Sequence, residues 1–151
     1  MDASFASEEL PGTGDRAAAW AAETLAEAGV TGDGLYVATP DAGAREALAF
    51  WAAARETGFA FAAPAAFPWT LANSPTGRIS QRLGITGPST TFVGGDEAHA
   101  EALLAAADDL ADGLVSRAVV VRLRGDRPVA AGGGPARQLL DVRVLGRPSM
   151  P

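Results

Sequence analysis

The residues best suited to acid–base chemistry stand at one place in the chain, around its single histidine. His99 could act as a general base, because imidazole titrates near neutral pH. Asp96 lies three residues earlier in a stretch with a helical pattern, so the two side chains share one face and could form an acid–base pair. The plainer interpretation, which we favour, is that His99 is a half-exposed or hydrogen-bonded residue of an ordinary helix.

The composition excludes several other kinds of chemistry. The chain has no cysteine, which removes disulfides, thiolate nucleophiles and cysteine–zinc sites. All 12 basic residues are arginine, so Schiff-base, pyridoxal and P-loop chemistry, which need a lysine, are also removed. Asp108, Asp109 and Asp112 could converge on a cation, but neighbouring like charges on a helix usually form a solvated face. We therefore predict no cofactor and no metal site.

Charge and hydropathy restrict the partners. The net charge of −6 repels phosphate backbones, so we expect no nucleic-acid partner. No stretch approaches the ~20 apolar residues that span a bilayer, so we expect no membrane partner. The first 15 residues are acidic and lack the apolar core of a signal peptide, which predicts a cytoplasmic protein.

Hydrophobic periodicity and turn residues predict helices that alternate with short apolar strands. The predicted helices cover 14–28, 41–57, a short stretch after Asn73, and 96–112. The predicted strands cover 35–38, 89–93 and 118–123, with weaker strand signals at 128–131 and 139–145 on either side of a glycine-rich loop. Prolines make 59–72 an irregular, packed segment. This order predicts a layered α/β fold.

One stretch is more specific than these patterns. The sequence FPWTLANSPTGRIS at 67–80, followed by LGITGPS at 83–89, resembles the β-ketoacyl synthases of fatty-acid and polyketide assembly, which have the thiolase fold. The resemblance implies an α/β, thiolase-like half, with layered helices on a mixed sheet and a C-terminal β-hairpin. It divides the chain into a flexible tail at 1–12, a ketosynthase N-terminal-like domain at 13–124, and a hairpin-like extension at 125–151.

The resemblance also implies that the chain has no independent ketosynthase activity. Aligned without gaps from Gly87-Pro88, the catalytic cysteine of the family falls on Asp96, after a Gly-Gly turn. A thiolate at a helix N-terminus accepts the acyl chain in that family, and an aspartate cannot do so; Asp96 is expected to be a helix N-cap instead. The two catalytic histidines belong to the family's C-terminal half. We expect the family's opening strand to be absent, and the sheet edges to be covered by the tail, by another chain, or not at all.

The function that follows is a non-catalytic ketosynthase-like partner or structural subunit, comparable to the chain length factors that pair with active ketosynthases. The partner would be a second copy of this chain itself or a full-length ketosynthase. The implied dimer interface is the strand Ser89, Thr90, Thr91, Phe92 and Val93, and a charged replacement of Phe92 or Val93 should dissociate the dimer.

Two alternatives remain. The chain could be a thioester-acting, decarboxylase-like enzyme that uses Asp96 and His99. It could also be a decayed fragment or a module that binds acyl carrier protein, with Arg78 and Arg82, four residues apart, as the contact. Carrier proteins are acidic, and a net charge of −6 disfavours that contact unless arginines cluster.

Overall fold

The computed structural model describes residues 1–7, 14–41, 43–126 and 137–147. The strands are β1 (Asp2–Ala6), β2 (Gly34–Thr39), β3 (Ser89–Val93), β4 (Arg117–Asp126) and β5 (Arg137–Gly146). The helices are α1 (Gly14–Glu27), α2 (Ala44–Thr57), α3 (Ser74–Leu83) and α4 (Asp96–Asp112). Two short 3-10 turns, Phe59–Phe61 and Phe67–Thr70, lie between α2 and α3. The predicted alternation of helices and strands is confirmed.

The described strands form one mixed sheet in the order β1-β5-β4-β2-β3. β2 pairs in parallel with both β3 and β4, and β5 is antiparallel to both of its neighbours, β4 and β1. The parallel strands are joined through helices, as their connection requires. β3 therefore forms one edge of the sheet and β1 the other.

The two faces of the sheet are covered unequally. On one face, Leu35, Val37, Val119, Val121 and Leu140 pack against buried residues of α1 and α3. On the other face, Tyr36 and Val120 pack against α4, which presents alanines one turn apart at 98, 102 and 106. Small side chains at this spacing form a continuous stripe along one side of the helix, so the helix can lie close to the sheet. The protein therefore has three layers, which confirms the predicted α/β class with helices layered on a mixed sheet.

Local sequence explains most helix ends. Gly84 and Gly113 follow α3 and α4 in the left-handed conformation, with φ of 67° and 78°, which glycine adopts without steric cost. The start of α2 differs from the prediction. The helix begins at Ala44 after a turn in which Ala44 N–H bonds the Asp41 carbonyl at 2.8 Å, so Asp41 lies in the turn and not in the helix.

The prediction of a flexible tail at 1–12 is wrong for residues 2–6, which form β1. Ala3 and Phe5 pack on the apolar core, whereas Ser4 faces the other way and bonds Asp141 at 2.7 Å. The family's opening strand was expected to be absent, and a strand, β1, is nevertheless present at this end of the sequence. This strand covers the edge of β5, which is the first of the three possibilities for an uncovered edge.

β4 and β5 form an antiparallel pair that runs from Arg117↔Gly146 to Asp126↔Arg137. A C-terminal antiparallel pair of strands is therefore present, but its first strand is β4, which the prediction placed at 118–123 in the preceding domain. The weak strand signal at 128–131 and the glycine-rich loop lie outside the described residues. The extension is not peripheral, since β5 stands between β4 and β1 in the sheet.

Candidate functional site

The position at which the resemblance predicts a ketosynthase nucleophile lies where β3 turns into α4. Gly94 N–H bonds the carbonyl of Thr39 at 3.0 Å, and Gly95 precedes the helix. Asp96 is the first helical residue, not the N-cap that the sequence suggested, and Gly95 takes that place with no side-chain cap. The carboxylate of Glu97, not that of Asp96, accepts a bond from Gly95 N–H at 3.0 Å.

Asp96 points across the sheet to an arginine. Its side chain is 91% exposed, and Oδ1 accepts a hydrogen bond from Nη2 of Arg122 on β4. The two form an ion pair in which the arginine is the more buried partner. An aspartate has no thiol, so it is poorly suited to accept an acyl group from a thioester in the way that the family's cysteine does.

His99 lies one turn further along α4 and is half-buried. Its Nδ1 is buried and has no hydrogen-bond partner among the described residues. Burial of the imidazole, followed by the positive charges of Arg122 and Arg143, lowers the pKa of His99, while Asp141 and Asp96 oppose that shift. The ring is therefore neutral at pH 7, and Asp96 bonds Arg122 rather than His99. The proposed acid–base pair has no direct hydrogen bond in this structure.

A cleft of about 380 Å³ opens beside His99, over the part of the sheet that α4 leaves uncovered. We call it the polar cleft, and it is lined by His99 and by residues of β1 and β5: Asp2, Ala3, Ser4, Asp141, Val142 and Arg143. Its charges are paired across strands. Arg143 binds Asp2 at 3.2 Å, and Arg124 binds Asp141 at 3.0 Å. Burial opposes ionisation of Asp141, but bonds from Ser4 and Arg124 lower its pKa.

The polar cleft was not predicted, although part of its signal is in the sequence. Along β5, apolar residues that face α1 alternate with Asp141 and Arg143, and along β4 the arginines 122 and 124 follow the same period. The alternation marks a part of this sheet face that carries charged side chains, whereas the part occupied by Ala118 and Val120 packs against α4. Which residues meet His99 depends on the sheet order, which the local pattern does not contain.

The described residues hold no group of three or more histidines, cysteines or acidic residues able to bind a metal ion. Asp109, one of the three carboxylates considered for a cation, instead accepts a 2.5 Å hydrogen bond from Tyr36 of β2. Burial, followed by this bond to Asp109, raises the pKa of Tyr36 well above its ordinary value. This contact ties the C-terminal half of α4 to the sheet.

The residues of the predicted dimer interface form one edge of the sheet. β3 pairs only with β2 within the described strands, so its other side has no backbone partner there. Ser89, Thr90 and Val93 are exposed, and Val93 is 55% exposed. Phe92 packs on the α4 side, and Thr91 meets Thr76 of α3 with 2.6 Å between the two hydroxyl oxygens.

The two arginines proposed for carrier-protein contact lie on the exposed side of α3, one turn apart. Arg82 is bound by both carboxylate oxygens of Glu23 on α1, each at 2.9 Å. The carboxylate lowers the positive charge that Arg82 presents to a partner. Arg78 is exposed beside this pair.

Among the described helices, α4 is the longest with 17 residues, and none has both the length and the apolar character that a bilayer crossing requires.

The described residues form a three-layer α/β fold with one mixed sheet, which can be compared with known proteins. No family model and no curated protein matches the sequence. Solved structures do match. A ketosynthase in complex with its chain length factor from Xenorhabdus doucetiae superposes with a TM-score of 0.61 at 13% identity, over 86% of this chain and 56% of that one.

Two further structures support the same fold. The ishigamide ketosynthase/chain length factor has a TM-score of 0.61 at 17% identity, over 75% of this chain and 36% of that one. An oxazolomycin ketosynthase domain from Streptomyces albus JA3453 has a TM-score of 0.52 at 19% identity, over 89% of this chain and 28% of that one. The chain has the fold of ketosynthases and chain length factors and spans about half, or less, of the chains that it resembles.

Proposed function

We propose that this chain is a non-catalytic ketosynthase-like subunit of polyketide-type biosynthesis, which pairs with a ketosynthase through the free edge of β3. The observation that carries the proposal is the exposed edge strand. A strand with unpaired amides and carbonyls is a template for another strand, and native proteins usually cover or interrupt such edges. The opposite edge of the sheet is β1, which pairs only with β5 among the described strands.

The backbone of β3 is oriented for such pairing. Leu35 N–H bonds the Pro88 carbonyl at 2.8 Å, and Gly94 N–H bonds the Thr39 carbonyl, so these two bonds fix the alternation of the parallel ladder. In that alternation, the N–H and C=O groups of Thr91 and Val93 point away from β2. Both residues can therefore bond a partner strand without disturbing the sheet.

The start of α4 supports the non-catalytic part of the proposal. The chain has no cysteine, and the residue at the nucleophile position that the resemblance predicts is an ion-paired aspartate. Two of the similar structures are ketosynthases with chain length factors, which supports pairing with a ketosynthase over self-association. In this proposal the subunit has a structural role in the complex, and the ketosynthase supplies the catalytic thiolate.

The test is a backbone substitution in β3. Val93→Pro removes one outward N–H and leaves the ladder with β2 intact, whereas Val93→Ala keeps the N–H and shortens the same side chain. Val93 is a cleaner position than Phe92, because Phe92 packs in the core on the α4 side. Each variant is mixed with a full-length ketosynthase from the same organism, and the complex is measured by size-exclusion chromatography with light scattering.

We expect the wild-type chain and Val93→Ala to form a one-to-one complex, and Val93→Pro to bind roughly tenfold more weakly or worse. Failure of the wild-type chain to bind the ketosynthase, or equal binding of Val93→Pro and Val93→Ala, refutes the proposal. A stable species of two copies of this chain that ignores the ketosynthase also refutes it.

A further inference from the structure

The segment between β2 and α3 carries large apolar side chains that the fold does not bury. We call these six side chains, four of which are aromatic, the aromatic surface. Their exposed fractions lie between 45% and 80%, and the residues are Leu48, Trp51, Phe59, Phe61, Phe67 and Leu71. A folded domain rarely presents so many together unless something covers them. A partner strand that pairs only with β3 would leave these side chains exposed.

This segment packs mainly on itself. Ala54 is the buried residue of α2, and α2 rests against the two 3-10 turns rather than against the sheet. The rings meet edge to face: Trp51 lies 5.5 Å from Phe59, and Phe50 lies 5.9 Å from Phe67, between ring centroids. Such contacts hold the rings in place before any partner arrives, so binding would cost little ordering of the side chains.

The exposed area is of the size that an interface uses. The exposed fractions of Trp51, Phe59, Phe61 and Phe67 are 54%, 62%, 80% and 53%. With about 150–250 Å² for a whole aromatic side chain, these four expose about 500 Å². A stable complex buries about 800 Å² on each partner, so these four side chains would supply a large part of such an interface but not all of it.

The charges indicate what kind of occupant fits. No charged residue occurs between Glu56 and Arg78, and the two arginines of α2 are balanced by its two glutamates. The face is therefore neutral in a chain of net charge −6. A membrane surface is held by basic side chains around an apolar face, and this face has no such excess. A neutral apolar face fits another protein.

The aromatic surface is linked to the β3 edge by two hydrogen bonds. Ser74 Oγ donates to the carbonyl of Pro68 in the second 3-10 turn, and Thr76 Oγ1 bonds Thr91 Oγ1 of β3. Ser74 and Thr76 both lie in the first turn of α3, so this turn contacts both the second 3-10 turn and β3. The two surfaces are therefore neighbours, and one partner can touch both.

We propose that the aromatic surface is the second part of the subunit interface, covered by an apolar face of the same ketosynthase that pairs with β3. This inference rests on the proposed function. In such a complex, β3 supplies backbone hydrogen bonds that set the register, and the aromatic surface supplies the desolvated anchors that dominate affinity.

The test compares two exposed apolar side chains at opposite ends of the sheet. Phe61 is 80% exposed and makes no ring contact with its neighbours, so Phe61→Gln leaves the fold intact. Leu114 is 65% exposed and precedes β4, so Leu114→Gln is the matched control. Affinity for the ketosynthase is measured by titration calorimetry, and hydroxyl-radical oxidation of Trp51 in the wild-type chain is measured with and without the ketosynthase.

We expect Phe61→Gln to weaken binding roughly tenfold or more, Leu114→Gln to bind as the wild type does, and the ketosynthase to protect Trp51 from oxidation. If the wild type binds but Phe61→Gln binds equally well and Trp51 stays reactive, this inference is overturned and the β3 proposal stands. If the wild type does not bind the ketosynthase, both are overturned. Sedimentation with uncharged phosphatidylcholine vesicles that Phe61→Gln abolishes would assign the surface to a membrane and overturn this inference alone.

Discussion

Asp33 should stabilise the sheet through its charge, and the replacement Asp33→Asn removes that charge while preserving the size of the side chain. Its carboxylate accepts bonds from Ser116 N–H at 2.9 Å, Ser116 Oγ at 2.7 Å and Arg117 N–H at 2.8 Å. These bonds join the start of β2 to the start of β4. The bond from the Ser116 hydroxyl, followed by those from the two backbone amides, lowers the pKa of Asp33 from 3.8 to about 2.

The magnitude follows from that shift. A carboxyl shielded from solvent would contribute about 2.4 kcal/mol for such a change in pKa. Asp33 is exposed, so solvent screening reduces the expected contribution to about 1 kcal/mol. Because the folded pKa is depressed, the contribution is complete above pH 3.8 and is lost as the pH falls from 3.8 towards 2.

The assay is urea unfolding followed by circular dichroism at pH 7 and at pH 3. We expect Asp33→Asn to lower the free energy of unfolding by about 1 kcal/mol at pH 7, and by about half of that at pH 3, where the wild type has lost part of its advantage. Asp108→Asn, at an exposed aspartate of α4, is the control and should change neither value. Equal stability of Asp33→Asn and wild type at pH 7, or a difference that does not depend on pH, would refute the reasoning.

Two further predictions concern α4. The fold lowers the pKa of His99, so the wild type should lose stability as the pH falls below 6.5. His99→Gln should remove this pH dependence, measured by urea unfolding between pH 7 and pH 5. An unchanged pH dependence in the variant would contradict the prediction. Tyr36→Phe leaves the Asp109 carboxylate without its hydrogen-bond donor and should lower the free energy of unfolding by about 1–2 kcal/mol at pH 7. An unchanged free energy of unfolding would show that the 2.5 Å bond makes no net contribution to stability.

Local sequence was sufficient for the parallel part of the sheet. The run Ala118–Leu123 is apolar enough to be a strand buried on both faces, and the structure places Val119, Val120 and Val121 in the core. Glycines at the ends of helices marked α3 and α4 correctly. These features depend on short-range patterns, which the sequence shows directly.

Contacts between distant parts of the chain could not be read in the same way. Phe5 and Leu140 are register partners that stand 135 residues apart, so the short segment at 2–6 has no partner strand nearby in the sequence, and local pattern alone predicts a tail there. The same limit applies to His99, whose neighbours come from β1 and β5. The local sequence predicts which side chains of a strand share one face of the sheet. The order of the strands determines which side chains of different strands are in contact.

The placement of β1 has a consequence for how the protein is made. Its hydrogen-bonding partner, β5, follows β2, β3 and β4 in the sequence, so β2, β3 and β4 can pair once residue 126 has been synthesised, whereas β1 must wait for residues 137–146. Pairing across so long a separation is slow. During that wait, the apolar side chains of Ala3 and Phe5 lack the β5 strand beside which they pack in the folded protein.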